Sequence, residues 1–377
     1  MNILYISNDS SLYGANRSLI DLATQVKERG HHVYVLIWKH SDFAKELRKN
    51  GITPIILTYK CCTYSIECEK KDSLAKVCRE NIAAFIELKK HIKKYHIQLI
   101  HSNASNVDLG AFASAFCHIP HVWHVREILY DDYKLKYYYP HIMKFLFKHA
   151  DKVIFISRFI KKKRGYSFPN AEILYNGIDL ERYLDDAVKT LSKEEMHLLY
   201  VGVIREEKGI MDAVNVVDQL VNEYHCNVKL RIAGKGQRAY LEHLLDHIRQ
   251  KKLEAYIEYV GSKDDLRELR RWADVALMCS RSEALGRVTI ESMLANVLVV
   301  GADAGATSEL IQDGKNGYLY DAGNIEEMAR KILQVYENTE QSRVILKNAK
   351  RYALRHFDNR LYADRMLELY TALINHS

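Results

Sequence analysis

The residues with the clearest chemical potential lie in Ser280-Arg-Ser-Glu283-Ala-Leu-Gly286-Arg287-Val-Thr-Ile-Glu291, where seven residues separate two carboxylates. This run follows the apolar stretch Val275–Met278, which reads as a buried strand, and opens an amphipathic helix. With the helix starting near Gly286, Glu283 sits in the loop above the strand and Glu291 a turn or so inside the helix. The intervening Ala284, Leu285, Gly286 and Arg287 then carry the amides of the helix N-terminus, which have no intrahelical acceptor and which the macrodipole makes attractive to an anion such as a diphosphate. An ionised carboxylate only accepts hydrogen bonds and so suits a diol: Glu283 for sugar hydroxyls, Glu291 for ribose hydroxyls. Spacing alone leaves open an exposed loop acid at 283 and an ordinary helix-surface acid at 291.

Short β-type runs alternate with longer amphipathic helical stretches along the whole chain, the pattern of parallel sheets covered by helices on both faces. The first half gives strands at Asn2–Ser7, Val33–Trp38, Thr53–Leu57, Leu99–Ser102, His121–His124, Val153–Ile156 and Glu172–Leu174, with helices at Ser18–Arg29 and Lys76–Tyr95 among them. The second half restarts the rhythm at Leu198–Gly202, Val228–Ala233, Ile257–Val260, Val275–Met278 and Val297–Val300. The expectation is an α/β protein of two doubly wound, Rossmann-like domains, residues 1–180 and 190–357. Ligands of such sheets bind beyond the carboxyl ends of the strands, so a cleft between the domains is expected. The joint falls at Asn176-Gly177-Ile178-Asp179 through about Ser192, and all four prolines precede it. The last stretch has Leu361, Met366, Leu369, Tyr370 and Leu373 at helical spacing, and a return of this helix, residues 359–377, to the first domain is expected.

A chain of 377 residues, 48% hydrophobic and 27% charged, fits two globular cores and has no apolar run long enough to span a bilayer. The start enters a strand pattern directly, without the zones of a secretory signal, so a cytoplasmic location is expected. The seven scattered cysteines contain no C-x-x-C pair and read as reduced thiols. The charge is uneven: residues 1–180 hold 27 Lys/Arg against 17 Asp/Glu, whereas residues 181–377 hold 28 against 31. Basic blocks at Lys89–Lys94, Lys134–Tyr139, Lys144–Lys148 and Lys161–Arg164 read first as a solvated face. The sharper alternative is an anionic membrane surface, the inner face of the plasma membrane, since basic residues interleaved with aromatics favour it. No nucleic-acid module accompanies the charge.

Taken in order, the chain's motifs resemble the retaining glycosyltransferases of family 4, of GT-B fold, whose hallmark is the E-x7-E segment. Besides that segment, the resemblance rests on Gly14-Ala15-Asn16-Arg17-Ser18-Leu19, Trp123-His124-Val125-Arg126-Glu127, Val153–Ser157, Tyr175–Asp179, Gly202 to Lys208-Gly209, Ala233–Gly236, Val260-Gly261, Ala273–Val275 and Asp313–Gly317. It implies transfer of a hexose-type sugar from a nucleoside diphosphate sugar, with UDP expected, to a glycan or lipid-linked acceptor in surface polysaccharide assembly. A sugar-nucleotide epimerase of the same architecture, or an inactive binding subunit, are the rival readings.

The resemblance implies catalytic roles for His124, Glu283 and Lys208. The Lys208 ammonium would neutralise the leaving diphosphate, and His124 would meet the donor sugar. It implies donor contacts at Gly14, Ala15, Gly261 and Ser262 as well as along 284–291. Arg126 and Glu127 either pair with each other or touch the acceptor. Two departures stand out. Val203 replaces a customary arginine, which makes Arg205 or Arg287 the candidate substitute; Asn296 and Leu298 replace a customary Gly and Pro, where Asn tolerates the left-handed turn at a helix end. No D-x-D or H-E-x-x-H pattern occurs, so neither a metal nor another cofactor is expected.

Overall fold

The computed structural model describes every residue except 13, 70, 131–133, 166, 186–188, 190, 193 and 377. The chain forms two compact units, Met1–Ile178 with Asn359–Ser377, and Asp179–Asp358. The division thus falls at Ile178/Asp179 and again at Asp358/Asn359. Part of the stretch read as the joint lies outside the described residues.

The first unit contains β1 (Asn2–Ile6), β2 (His32–Ile37), β3 (Thr53–Ile56), β4 (Thr63–Ser65), β5 (Leu99–Ser102), β6 (His121–Val125), β7 (Leu135–Tyr137), β8 (Lys152–Phe155) and β9 (Ala171–Ile173). Seven of them form a parallel sheet in the order β3-β2-β1-β5-β6-β8-β9. In β1, Ile3, Leu4, Tyr5 and Ile6 are all fully buried, because helices cover both faces of the sheet and apolar residues need not alternate. Strand order reverses between β1 and β5, and their carboxyl ends bound the crevice where doubly wound sheets bind ligands. A small antiparallel ribbon of β4 and β7 was not anticipated; three-residue strands are too short to show a period of two.

The C-terminal helix, Asn359–Asn375, belongs to this unit's core. Tyr362, Ala363, Met366 and Tyr370 pack among Ile3, Tyr5, Leu19 and Leu22, and Arg29 Nε reaches Asp364 at 2.5 Å. Leu361, which shares the apolar spacing, is instead 59% exposed.

The second unit contains β10 (Met196–Val201), β11 (Val228–Ala233), β12 (Ile257–Gly261), β13 (Val275–Met278), β14 (Leu298–Ala302) and β15 (Tyr318–Tyr320), all parallel, in the order β12-β11-β10-β13-β14-β15. Here the order reverses between β10 and β13. The edge strand β15 escaped the sequence reading because its three residues follow a polar turn. Its Tyr318 and Tyr320 are nonetheless buried against the helix Ile325–Glu337 side of the core. Among the described residues no helix is long and apolar enough to cross a membrane.

Candidate active site

The carboxyl ends of β10 and β13 each lead into a loop that carries one proposed reactive group. After β10 comes a single 3-10 turn, Glu206–Lys208; after β13 comes the loop that holds Glu283. Lys208 Nζ donates to Glu283 Oε2 at 2.6 Å, with side chains 19% and 17% exposed. The approach depends on two glycines in the left-handed region. A Cβ on Gly209 (φ +65°) would lie 2.1 Å from the carbonyl oxygen of Cys279, and one on Gly305 (φ +61°) 2.5 Å from the Glu283 nitrogen. No L side chain fits either place, so the Lys208 turn seats on the end of β13 and the Glu283 loop seats on the loop after β14. Ala306 N–H fixes the latter by donating to the Glu283 carbonyl at 2.8 Å.

Four residues beyond Glu283 the helix Arg287–Leu294 begins, with Gly286 (φ +87°) at its N-cap and no side-chain cap. Thr289 N–H turns back to the Gly286 carbonyl at 3.0 Å, while the amides of Gly286 and Val288 have no acceptor among the described residues. Leu285 is buried and Ala284 half-buried beneath this turn. Glu291 lies in the helix's second turn, where Arg270 Nη2 donates to its Oε2 and Arg287 Nε approaches its Oε1 at 3.5 Å. Arg270 is itself buried and stacks over Tyr183 at 5.1 Å. The sequence reading missed Arg270, since nothing in a short Arg-rich helix announces a partner 21 positions away.

The other proposed donor contacts are distributed along the same edge of this sheet. Arg205 Nε stands 3.8 Å from Glu207 Oε2, Val203 is 46% exposed, and the Gly261 carbonyl at the end of β12 accepts from Gly234 N–H at 2.9 Å. Ser262 beside it is exposed. The helix end after Glu291 turns through Asn296 at φ +57°, the left-handed conformation that asparagine accommodates in place of glycine.

In the first unit, Gly14 and Ala15 open the helix Gly14–Glu28, the next element in the chain after β1. Gly14 does not adopt a left-handed φ, and a Cβ there would meet nothing within 4 Å, so the chain's own packing does not require a glycine. The Ala15 carbonyl faces Asn103 Nδ2 at 3.4 Å. His124, on β6, is fully buried, with Nδ1 3.2 Å from both Arg126 Nη2 and His101 Nε2. Burial first, then the positive Arg126, holds the ring's pKa well below the usual histidine range. Its Nε2 is buried without a hydrogen-bond partner among the described residues, a situation that costs about 1–3 kcal/mol unless a ligand supplies the partner.

Arg126 and Glu127 are buried and engaged within their own unit, which does not support the reading of either as an acceptor contact. Arg126 Nε and Nη1 donate to Asn103 and Asn176 at 2.7 Å each. Glu127 Oε1 accepts from Ser105 N at 2.6 Å and Ser105 Oγ at 2.5 Å, and its Oε2 accepts from Arg126 N at 3.0 Å. The guanidinium therefore orients His124, and the carboxylate ties the end of β6 to the loop after β5. Among the described residues no group of three His, Cys, Asp or Glu side chains converges as metal ligands.

Two Rossmann-like sheets, one carrying a lysine–carboxylate pair beside an open helix start at its switch point, constitute a GT-B architecture. Residues 13–182 match the family described as Glycosyltransferase Family 4, and residues 183–352 match Glycosyl transferases group 1. The chain belongs to the family 4 glycosyltransferases of GT-B fold. Among similar proteins is an uncharacterised glycosyltransferase of Methanocaldococcus jannaschii, 26% identical over 70% of this chain and 72% of that one. Another is N-acetyl-alpha-D-glucosaminyl L-malate synthase of Bacillus anthracis, 27% identical over 54% of each chain, so that match spans about half that enzyme's length. The fold is shared with Anabaena HepE, solved with UDP and with UDP-glucose: TM-score 0.83 and 0.81, 22% and 23% identity, and 99% of this chain covering 100% of that one in each case.

Proposed function

We propose that this glycosyltransferase moves a hexose-type sugar from a UDP-sugar to a hydroxyl of a glycan or lipid-linked acceptor, with retention at the anomeric carbon and without a divalent metal, in surface polysaccharide assembly. The observation that carries the reading is the Lys208–Glu283 pair at 2.6 Å next to a helix start with open amides. As the sugar leaves, negative charge collects on the departing diphosphate. An ammonium and preorganised amides stabilise that charge more than they stabilise the ground state. Glu283 would accept from sugar hydroxyls and Glu291, held by Arg270, from the ribose. The departing phosphate oxygen would take the acceptor's hydroxyl proton, and His124 would contact the sugar. The UDP and UDP-glucose complexes of HepE support the choice of uridine nucleotide.

The proposed site of action is the cytoplasmic face of the plasma membrane. Its support is the helix Leu74–Lys94, which exposes Ile82 and Ile86 and ends in His91, Lys93 and Lys94. Phe85 of that helix contacts the 67% exposed Phe116. Sedimentation with anionic but not neutral liposomes, weakening as salt rises, is the expected outcome; equal recovery on both refutes it.

Nucleotide release is measured over UDP-, GDP- and ADP-sugars with the wild type, Glu283→Ala and Lys208→Ala. UDP release by the wild type alone is expected. Epimerised nucleotide sugar without an acceptor would replace transfer by epimerisation, and absence of any donor binding by calorimetry would leave a binding subunit.

A further inference from the structure

A buried polar chain runs from the C-terminal helix to His124, and its polarity is set from one end. A guanidinium can only donate, so the Arg126 Nη2 contact at 3.2 Å makes His124 Nδ1 an acceptor and puts that ring's proton on Nε2. His101 Nε2, 3.2 Å from the same Nδ1, must then be a donor. That leaves His101 Nδ1 as an acceptor, and Tyr370 Oη donates to it at 2.7 Å. Tyr5 Oη lies 3.3 Å from Tyr370 Oη at the far end of the chain. All five side chains are at least nine-tenths buried, with His101, His124, Tyr5 and Tyr370 fully so.

We propose that Tyr370, 246 residues downstream in a helix that returns to the first sheet, is a positioning residue for His124: with Arg126 it locks His124 into the Nε2–H form through His101. The lock makes the orphaned Nε2 an obligatory donor, matched to a hydroxyl or phosphate oxygen and unable to act as a base. Burial and the nearby Arg126 charge disfavour a second proton on either imidazole, which keeps the chain's direction fixed. His121, the other imidazole at this end of the sheet, is taken up separately by Ser102 Oγ at 2.9 Å. The assignment rests on the reading of His124 as a donor-sugar contact, but the lock itself is a property of the free protein.

The test is two-dimensional long-range 15N–1H NMR on the full chain with 15N-labelled histidine, compared with Tyr370→Phe, which keeps the ring and removes only the hydroxyl. In the wild type, His124 is expected as the Nε2–H tautomer without titration between about pH 6 and 8, and His101 likewise. In Tyr370→Phe the His101 signals are expected to shift or broaden towards mixed tautomers, with kcat for sugar transfer falling roughly three- to tenfold at unchanged donor KM. An Nδ1–H or titrating His124 in the wild type overturns the lock, and so do His101 signals and kcat that Tyr370→Phe leaves unmoved. A chain that shows the lock yet binds no nucleotide would instead sink the proposed transfer reaction.

Discussion

Replacing Glu283 with glutamine should tighten UDP binding while it slows sugar transfer. Lys208 and Glu283 lie 2.6 Å apart with about four-fifths of each side chain out of water. At an effective dielectric of 20 the gross attraction at that distance is about 6 kcal/mol. Desolvation of both ions reduces the net value to about 2 kcal/mol, the usual range for a charge-assisted hydrogen bond. UDP alone offers no sugar to Glu283, so its diphosphate competes with the carboxylate for the same ammonium. Glu283→Gln removes the competitor and the like charge, and the UDP Kd should fall about fivefold, equivalent to about 1 kcal/mol. Lys208→Met should raise the Kd about 30-fold, equivalent to about 2 kcal/mol. In the Lys208→Met background the glutamine substitution no longer frees an ammonium and acts only by removing the like charge, so the two effects should not add. Titration calorimetry of the four proteins with UDP, at low and at high salt, reads all of this. Strictly additive effects, or a Glu283→Gln variant that binds UDP as weakly as Lys208→Met, would refute the competition and with it the placement of the diphosphate on Lys208.

Three further outcomes follow from particular contacts. Gly209→Ala places a Cβ 2.1 Å from the Cys279 carbonyl at a left-handed φ, and should cost about 1–3 kcal/mol in thermal unfolding and displace Lys208, whereas Gly14→Ala, with open space, should change stability by less than about 0.5 kcal/mol and act on donor binding alone. Arg270→Met leaves the buried Glu291 carboxylate with only the 3.5 Å ion pair to Arg287; a loss of about 3 kcal/mol is expected by denaturant titration, and a loss under about 1 kcal/mol would mean the Arg270 pair is not desolvated as the geometry indicates. Burial holds His101 and His124 well below the usual histidine range and pushes His121 down to about 3. The unfolded chain therefore binds more protons than the folded one below pH 6.5: the stability from these neutral rings is complete above that pH and falls by roughly 1 kcal/mol per ring between pH 6.5 and 5.5. Equilibrium unfolding across that window should show the decline, and His101→Asn should reduce its slope.

Fold class was legible because burial on both sheet faces writes itself as continuous apolar runs such as Ile3–Ile6 and Leu298–Val300, each followed by a helical period. The elements that stayed hidden, β4, β7 and β15, are three residues long, too short to show a period; of the strands of that length only β9 was read. The site divides along a different line. Glu283, Gly286 and Glu291 are eight residues apart at most, so one loop and one helix turn determine their relation and spacing is informative. Lys208 meets Glu283 across 75 positions, and its place came from a motif resemblance, since only tertiary structure brings the β10 and β13 loops together.

The least legible parts are the groups that orient others. Arg270, Asn103, Asn176, His101 and Tyr370 carry no spacing signal, because each reaches its partner across the sheet rather than along a helix face. Tyr370 shows the limit most clearly. In sequence it is one apolar position of a terminal amphipathic helix, indistinguishable from Met366 or Leu373, and its burial in the core cluster that includes Ile3 and Leu22 explains its ring. That burial does not explain its hydroxyl. A phenylalanine would pack the same space without having to bury a polar atom, so the hydroxyl is accounted for by its hydrogen-bond partners, His101 Nδ1 at 2.7 Å and Tyr5 Oη at 3.3 Å. That reasoning separates packing from positioning at a single oxygen atom: if Tyr370→Phe raises stability while lowering turnover, the helix returns to the first sheet to serve the site as well as the core.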